Sequence, residues 1–234
     1  GDMRVSRALH PGPQAYDIGV FPQQVELLRQ FLEDSTGLAG ENGGFPADHP
    51  YSGLHAIPRG PGLPGFWMLG SGGDGALIAA QLGMAYCFAH FINQDAGTQP
   101  LDTYRRNFRP SRDLAGPHGS IAVSVTVGET EEDAKRIAST RNLWVMHLLQ
   151  NRAGPFPSIE EALDYPYTDE DRAMLHAIEQ RGFAGTPEQV RAHLLALGEA
   201  HGVDDFVILT ITYDQTDRVR SYELLADAMG VKPA

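Results

Sequence analysis

Short apolar runs alternate with segments of helical spacing along most of this chain. The run at 120–127 shows the first pattern clearly, because Ile121 and Val123 alternate with Ser120 and Ser124. Such alternation is typical of a β-strand. Together with three further apolar runs, it predicts strands at 66–70, 85–91, 120–127 and 205–212.

Each predicted strand is followed by a helical pattern, and two of these patterns begin with a capping residue. Thr186 precedes a proline and stands three residues before Gln189, which is the signature of a capping box. Thr130 stands in the same relation to Asp133. Helices are predicted over 73–82, 100–108, 168–180 and 219–229, from Pro22, from Thr130 toward Gln150, and from Thr186 to Gly202.

This order of elements predicts an α/β fold with about four parallel strands and flanking helices. Parallel strands joined by helices take right-handed crossovers, and several strands are apolar on both faces, as helix-covered strands should be. Four parallel strands do not close a barrel, which needs about eight. An open sheet of four exposes unpaired edges, so either these edges are covered or further strands complete the sheet.

The chain is expected to form a single domain over residues 1–234, with two insertions. Residues 34–65 are rich in glycine and proline and are too long for a plain connection. They are expected to carry a short hairpin around 51–57 or to cover part of a site. Residues 151–167 form the second insertion, which also contains prolines.

Composition argues against several classes of protein. A net charge of −12 with scattered arginines argues against nucleic-acid binding, which needs basic patches. The lone cysteine, Cys87, allows neither an internal disulfide nor a metal-ligand spacing, so no metal site is expected. No apolar stretch approaches the roughly 18 residues of a membrane span, and no signal peptide opens the chain. We therefore expect a cytoplasmic protein without a membrane partner.

The junction between the first predicted strand and its helix is the main candidate site. The run at 66–70 ends in a Gly-Ser-Gly-Gly turn that contains Gly70, Ser71 and Gly72. Backbone N–H groups at a helix N-terminus, together with a hydroxyl, suit an anion such as a phosphate. The same residues also suit a tight turn without a ligand, or an independent open α/β domain that binds another anion there.

Five segments resemble the bacterial luciferase-like flavin monooxygenases in order and spacing, namely 66–71, 79–91, 104–111, 185–190 and 220–226. The resemblance covers nearly the whole chain and corresponds to the C-terminal portion of the family. It implies a partial (β/α)8 TIM barrel, in which the four predicted strands are strands five to eight. Residues 1–4 resemble the loop after strand four, so the first four strands and their proton-transfer histidine are absent.

The resemblance also implies a cofactor site at the C-terminal ends of the strands. Family members bind FMN, or in some branches a deazaflavin, and Gly70, Ser71 and Gly72 match their phosphate-binding turn. His90 and Phe91, at the end of the second predicted strand, fall near the flavin ring. His90 either donates a hydrogen bond to the flavin or is a structural histidine, and Phe91 either lines the site or belongs to the core. No catalytic residue is assigned.

The function implied by the resemblance is that of a flavin-dependent monooxygenase. Such an enzyme uses reduced FMN and oxygen on a small organic substrate, and the cofactor supplies the chemistry. Reduced flavin would come from a separate reductase, and the protein is expected to form a homo-oligomer. The alternative is a truncated, non-catalytic half-barrel that acts as a flavin-binding or dimerising module.

Overall fold

The computed structural model describes residues 18–37, 44–60 and 62–231. The chain forms two compact units, which divide between Phe66 and Trp67. The expectation of a single domain stays a prediction. The segment that resembles the loop after strand four lies outside the described residues.

The first unit is built on one helix. Helix α1 (Phe21–Ser35) follows a single 3-10 turn at Ile18–Val20, and a proline stands near the start of the helix, as predicted. The described residues of this unit contain no strand. The short hairpin expected around 51–57 is therefore wrong, because residues 51–53 form a turn and the rest of the segment is irregular.

A buried carboxylate organises this segment instead of a strand ladder. Asp34 is 1% exposed and accepts a hydrogen bond from the Ala56 N–H at 2.6 Å. Its other carboxylate oxygen lies 3.0 Å from Nδ1 of His55. These bonds tie the end of α1 to the segment around Ala56, so a backbone group there is paired with a side chain rather than with a second strand.

The second unit contains five strands, seven α-helices and one 3-10 turn (Gln94–Ala96) in its described residues. The strands are β1 (Trp67–Gly70), β2 (Ala85–Ala89), β3 (Gly119–Val127), β4 (Phe183–Gly185) and β5 (Phe206–Leu209). The helices are α2 (Gly73–Gln81), α3 (Gln99–Asn107), α4 (Glu131–Leu149), α5 (Ile159–Leu163), α6 (Asp169–Glu179), α7 (Pro187–His201) and α8 (Gln215–Met229). No helix among the described residues is long and apolar enough to cross a membrane.

The predicted α/β fold is confirmed, with one strand more than expected. All four strand pairs are parallel, and the helices connect them in the predicted order. The additional strand, β4, has only three residues and follows the second insertion. It pairs with the C-terminal part of β3, so it changes the architecture where candidate site residues are expected.

The predicted helix caps are also confirmed. The Thr130 hydroxyl accepts a hydrogen bond from the Asp133 N–H at 3.1 Å, which fixes the start of α4. Thr186 and Gln189 complete a reciprocal capping box at the start of α7. At the other end of α7, Gly202 takes the left-handed conformation, with φ of 64°, that glycine adopts without strain.

Strand β3 is paired along both of its edges. In a parallel ladder, alternate residues direct their backbone groups to the same edge. Phe91 donates its N–H to the Ala122 carbonyl, and Gly128 donates its N–H to the Gly185 carbonyl, both at 3.2 Å. Strands β2 and β4 therefore follow one another along the same edge of β3, and β5 occupies the opposite edge. The backbone of Ser124 faces the gap between the end of β2 and the start of β4.

The two faces of the sheet have different compositions. The helix face presents Tyr86, Phe88, Ile121, Val123 and Val125, and the small-residue face presents Cys87, Ala89, Ser120, Ala122 and Ser124. Tyr86 contacts the ring of Tyr104 in α3, and Phe88 contacts the ring of His201 in α7. Helices α3 and α7 therefore cover the helix face.

The small-residue face becomes apolar and exposed toward the outer strands. Trp67 and Leu69 on β1 are 44% and 57% exposed, and Val207 on β5 is 51% exposed. By register, all three share the face of Cys87 and Ala122. Exposed apolar side chains that share one sheet face indicate a surface suited to further packing.

Ser221 joins α8 to the end of β3, and its removal provides a test of this packing. The Val127 N–H donates to the Ser221 hydroxyl at 2.8 Å, and both residues are 1% exposed. Ser221→Ala leaves a buried N–H unpaired, so we expect the free energy of unfolding to fall by about 1–3 kcal/mol. Thr216→Ala, at an exposed position of the same helix, should change it by less than about 0.5 kcal/mol. Urea denaturation of both variants measures the difference, and equal effects would contradict this role.

Candidate functional site

The Ser71 turn, formed by Gly70, Ser71 and Gly72, lies where β1 ends and α2 begins. Gly72 is the N-cap of α2 and provides no side-chain acceptor, so N–H groups of the first helical turn are open to an external acceptor. Ser71 is half-buried, and its hydroxyl makes no hydrogen bond with any described residue. A Cβ atom built on Gly72 would meet nothing within 4 Å, so open space adjoins the turn. This arrangement favours binding of an anion.

Side chains from the neighbouring strand hold the turn in place. The Tyr86 hydroxyl lies 2.9 Å from the Gly70 carbonyl oxygen and 3.2 Å from that of Gly72, and Asn93 donates to the Ser71 carbonyl at 3.0 Å. Tyr86 is fully buried, and this burial raises the pKa of its phenol well above the usual range. The phenol therefore stays protonated and acts as a donor to the turn.

One feature of the Ser71 turn opposes anion binding. Asp74 lies in the first turn of α2 and is exposed. A carboxylate is itself stabilised at the positive end of a helix, so it competes with a bound anion for the same partial charge. The turn is consequently a weaker anion site than its backbone geometry alone would provide.

His90 lies away from the Ser71 turn, on the helix face. Its ring contacts those of Phe88 and His201, each at a centroid distance of 5.9 Å, and the residue is 9% exposed. Its Nδ1 atom is buried without a hydrogen-bond partner. His90 lines a cavity of about 230 Å³ that lies beside the gap in the edge of β3 and includes Ser124 and Phe183.

The structure therefore gathers the sequence-predicted residues into two neighbouring places rather than one. Gly70, Ser71 and Gly72 form the turn after β1, and His90 belongs to the cavity after β2. Phe91 is half-buried, and its N–H holds the end of β2 against β3. Asn93, a few residues farther along, connects the two places by its bond to the Ser71 carbonyl.

The imidazole of His90 is held in its neutral form. Burial lowers its pKa to about 4, and the nearby His201 and His193 add to the effect in the same direction. Since the ordinary value is near 6.5, the ring is uncharged at neutral pH. It is therefore available as a neutral hydrogen-bonding group and not as a cation.

A second and larger cavity adjoins the first, and it contains a residue that the sequence analysis did not select. This cavity, here called the Arg141 pocket, has a volume of about 720 Å³ and is bounded by α4, α6, β3 and β4. Arg141 is 8% exposed. A sequence signal exists, because Arg141 continues the helical stripe of Ala134, Ile137 and Ala138, all of which are buried. A charge on an apolar stripe marks a position that needs a partner.

Titratable side chains form no metal centre in the described residues. No group of three or more His, Cys, Asp or Glu side chains among residues 18–37, 44–60 and 62–231 is arranged to hold a metal ion. Cys87 is buried beside the Ser120 hydroxyl, and burial raises the pKa of its thiol. The thiol is therefore a small, protonated core group.

Comparison with known proteins links this chain to one family. The family model described as luciferase-like monooxygenase matches residues 13–205. Protein YceB of Bacillus subtilis (strain 168), which is uncharacterised, is 33% identical over 207 residues, or 88% of this chain and 60% of that protein. The chain thus spans about 60% of the length of this curated relative.

Solved structures share the fold. The crystal structure of apo-MsnO8 superposes with a TM-score of 0.81 at 30% identity, covering 100% of this chain and 66% of that one. The oxygenating constituent of 3,6-diketocamphane monooxygenase from Pseudomonas putida, in complex with FMN, has a TM-score of 0.54 at 16% identity, covering 96% and 66%. At that identity, the second likeness concerns the fold alone.

The lowered pKa of His90 predicts a loss of stability in acid. Below pH 6.5 the His90 side chain becomes protonated in the unfolded chain, whereas in the folded protein it stays neutral down to about pH 4. The unfolded state therefore binds more protons between these values, and the free energy of unfolding falls as pH falls through this window. We expect a loss of roughly 2 kcal/mol, since a full shift of this size corresponds to about 3 kcal/mol and partial solvation reduces it.

The variant His90→Leu should flatten this part of the stability profile, whatever its effect at pH 7. His176→Gln, at an exposed histidine, should leave the slope unchanged. Urea denaturation at several values between pH 7 and pH 4 measures both. An unchanged slope in His90→Leu would show that other groups account for the acid sensitivity.

Proposed function

The chain belongs to the luciferase-like monooxygenase family, and from that premise we propose that it is the cofactor-binding part of a flavin-dependent monooxygenase. In this proposal the Ser71 turn binds the phosphate of FMN. A small organic molecule is the substrate. The chain spans about 60% of the length of its relative YceB, so we propose the monooxygenase activity for the whole protein and cofactor binding for this chain.

The single observation that carries this proposal is the uncommitted hydrogen-bonding capacity of the Ser71 turn. The hydroxyl of Ser71 has no partner among the described residues, and the N–H groups at the start of α2 face open space beside Gly72. A phosphate group accepts hydrogen bonds from such groups. The bonds from Tyr86 and Asn93 to the turn carbonyls keep the hydroxyl and N–H groups in position before the ligand arrives.

Reduced FMN, when bound, supplies the activation of oxygen, and the protein binds, orients and shields it. In this proposal the flavin ring would lie at the C-terminal ends of the strands. His90 and Phe91 stay predicted neighbours of the ring. In its observed position the His90 ring packs against Phe88 and His201, so its first role is to hold the end of β2.

The proposal includes partners and a setting. The reduced flavin would come from a separate reductase, as the resemblance to the family implies. Support for FMN comes from the diketocamphane monooxygenase constituent, whose structure contains it, although that likeness concerns the fold alone. A deazaflavin is the alternative cofactor. We further infer a homo-oligomer in the cytoplasm.

One observation favours the alternative of a non-catalytic flavin-binding or dimerising module. Trp67, Leu69 and Val207 are exposed on one sheet face, which is suited to packing against further structure. Oxygen uptake with FMN, NADH and an added flavin reductase separates the two functions. Uptake above the rate of the reductase alone, when a substrate is present, supports the monooxygenase, whereas flavin binding without such uptake supports the module.

The role of the Ser71 turn is tested by comparing FMN with riboflavin, which lacks the phosphate. We expect the protein to bind FMN more tightly, as measured by quenching of flavin fluorescence. Ser71→Ala should weaken FMN binding roughly tenfold and leave riboflavin binding unchanged, because it removes one hydrogen bond to a charged group. Equal affinities for FMN and riboflavin in the unmodified protein would refute phosphate binding at this turn.

Asp74→Asn provides the matched control on the same helix. It removes the competing carboxylate, so FMN should bind about two- to fivefold more tightly at low salt, and the gain should shrink as salt is added. Riboflavin binding should again remain unchanged. Opposite effects of Ser71→Ala and Asp74→Asn on FMN alone would locate the phosphate at this turn.

A further inference from the structure

Arg141 is a buried cation without an ionic partner in the described structure. Its only hydrogen bond joins Nη1 to the Asn142 side-chain oxygen at 3.1 Å, and it forms no ion pair with any described carboxylate. A guanidinium has five N–H donors, so most of its capacity is unused. The Nε and Nη2 atoms have no hydrogen-bond partner among the described residues, but they are not fully buried. They therefore reach the space of the Arg141 pocket.

An unpaired buried charge is costly, and proteins normally pair such groups with an opposite charge. Burial lowers the pKa of Arg141, which reflects the same cost, but a guanidinium remains charged at neutral pH. The residues Ala134, Ile137 and Ala138 on the same stripe are themselves buried, so the helix surface around Arg141 is apolar. An anion that enters the pocket would supply the opposite charge.

Other groups in the Arg141 pocket also suit an anion. The hydroxyls of Ser124 and Thr126 line it and make no hydrogen bond through their side-chain oxygens with any described residue, although both residues are at least 94% buried. Each can donate one hydrogen bond. With the guanidinium, they present donors from both β3 and α4 to the same space.

The Arg141 pocket combines a buried guanidinium with charged side chains at its rim. Lys135 is paired with Glu131 at 2.5 Å, and Glu179 stands exposed at the rim, where solvent screens its charge. Arg141 is the buried cation of the lining. A carboxylate carries one negative charge and matches the guanidinium fork with two parallel hydrogen bonds. A volume of about 720 Å³ exceeds the need of a bare ion and accommodates an organic molecule.

We propose that the Arg141 pocket binds a small organic carboxylate, with Arg141 holding its carboxylate group and Ser124 and Thr126 donating to it. The pocket lies at the C-terminal end of β3, on the sheet face that leads to the Ser71 turn. Strand β3 lies two strand spacings, or about 10 Å, from β1, which ends at the Ser71 turn. Resting on the proposed function, the inference names the substrate class, which is an organic acid placed beside the flavin.

The test uses three six-carbon probes on the full chain, namely hexanoate, hexanamide and hexyl phosphate, and calorimetry measures their binding. Hexanoate should bind at least about tenfold more tightly than hexanamide, because only the carboxylate pairs with the guanidinium. Equal binding of hexanoate and hexanamide would overturn the proposal. Tighter binding of hexyl phosphate than of hexanoate would assign the pocket to phosphate esters and would equally overturn it.

Substitutions of Arg141 test whether this residue causes the preference for hexanoate over hexanamide. Arg141→Gln should remove the preference for hexanoate over hexanamide, and Arg141→Lys should restore part of it, because the charge returns without the fork. Lys135→Gln, at the rim, should weaken hexanoate by no more than about threefold. A preference that survives in Arg141→Gln refutes the assignment. If Arg141→Gln does not fold, the preference for hexanoate over hexanamide is compared between the unmodified protein and Arg141→Lys. An equal preference in these two proteins would then refute the assignment.

Failure of this inference is distinguishable from failure of the proposed function. The Ser71→Ala variant should bind hexanoate as the unmodified protein does, and folded Arg141 variants should keep their preference for FMN over riboflavin. A protein that binds FMN through the Ser71 turn but does not discriminate between hexanoate and hexanamide keeps the proposed function and loses only the substrate class.

Discussion

The backbone ladder of β3 is the constraint on which the rest of the second unit depends. Its odd-numbered residues bond toward β5, as the N–H of Ile121 does to the Asp205 carbonyl, and its even-numbered residues bond toward β2 and then β4. Strand β2 ends because the His90 N–H turns back to the Phe88 carbonyl. The edge of β3 is then free at Ser124 until β4 begins. A break in a parallel ladder thus creates the cavity beside His90.

The same ladder determines which face each helix covers. The steps from β2 to β3 and from β4 to β5 cross the sheet in one direction, and right-handed crossovers place α3 and α7 on the helix face. The step from β3 back to β4 runs in the opposite direction, so the same handedness places α4 on the small-residue face. Arg141 is brought against Ser124 and Thr126 for this reason.

The sequence predicted those features that depend on local patterns. Alternation identified β3, capping residues located the starts of α4 and α7, and the glycine-serine turn was placed where β1 meets α2. Each of these local patterns lies within a few residues, so it needs no knowledge of the tertiary fold. The resemblance to the luciferase-like monooxygenase family, which rests on the order and spacing of five segments, is confirmed by the family match.

The features that were missed depend on register or on distant contacts. Strand β4 has three residues, too few to show any period, and it is visible only through its pairing with β3. The expected hairpin failed because Asp34 bonds to backbone more than twenty residues away. Tyr86 reaches the Ser71 turn from the next strand, and only the register reveals that contact. Sequence order placed His90 correctly at a strand end but did not predict its face.

The two anion-facing features use different physics in a chain whose net charge is −12. The Ser71 turn offers partial charges of backbone N–H groups near the surface, where salt screens them and Asp74 opposes them. Arg141 offers a full charge in a buried setting, where screening is weak and the guanidinium gains most from a partner that replaces lost water. The net charge of the chain therefore does not predict which ligands bind, because the electrostatic attraction of one cation for a ligand depends on how deeply that cation is buried. The repulsive overall field opposes highly charged anions, and the buried guanidinium of Arg141 would strengthen the binding of one carboxylate in the proposed pocket.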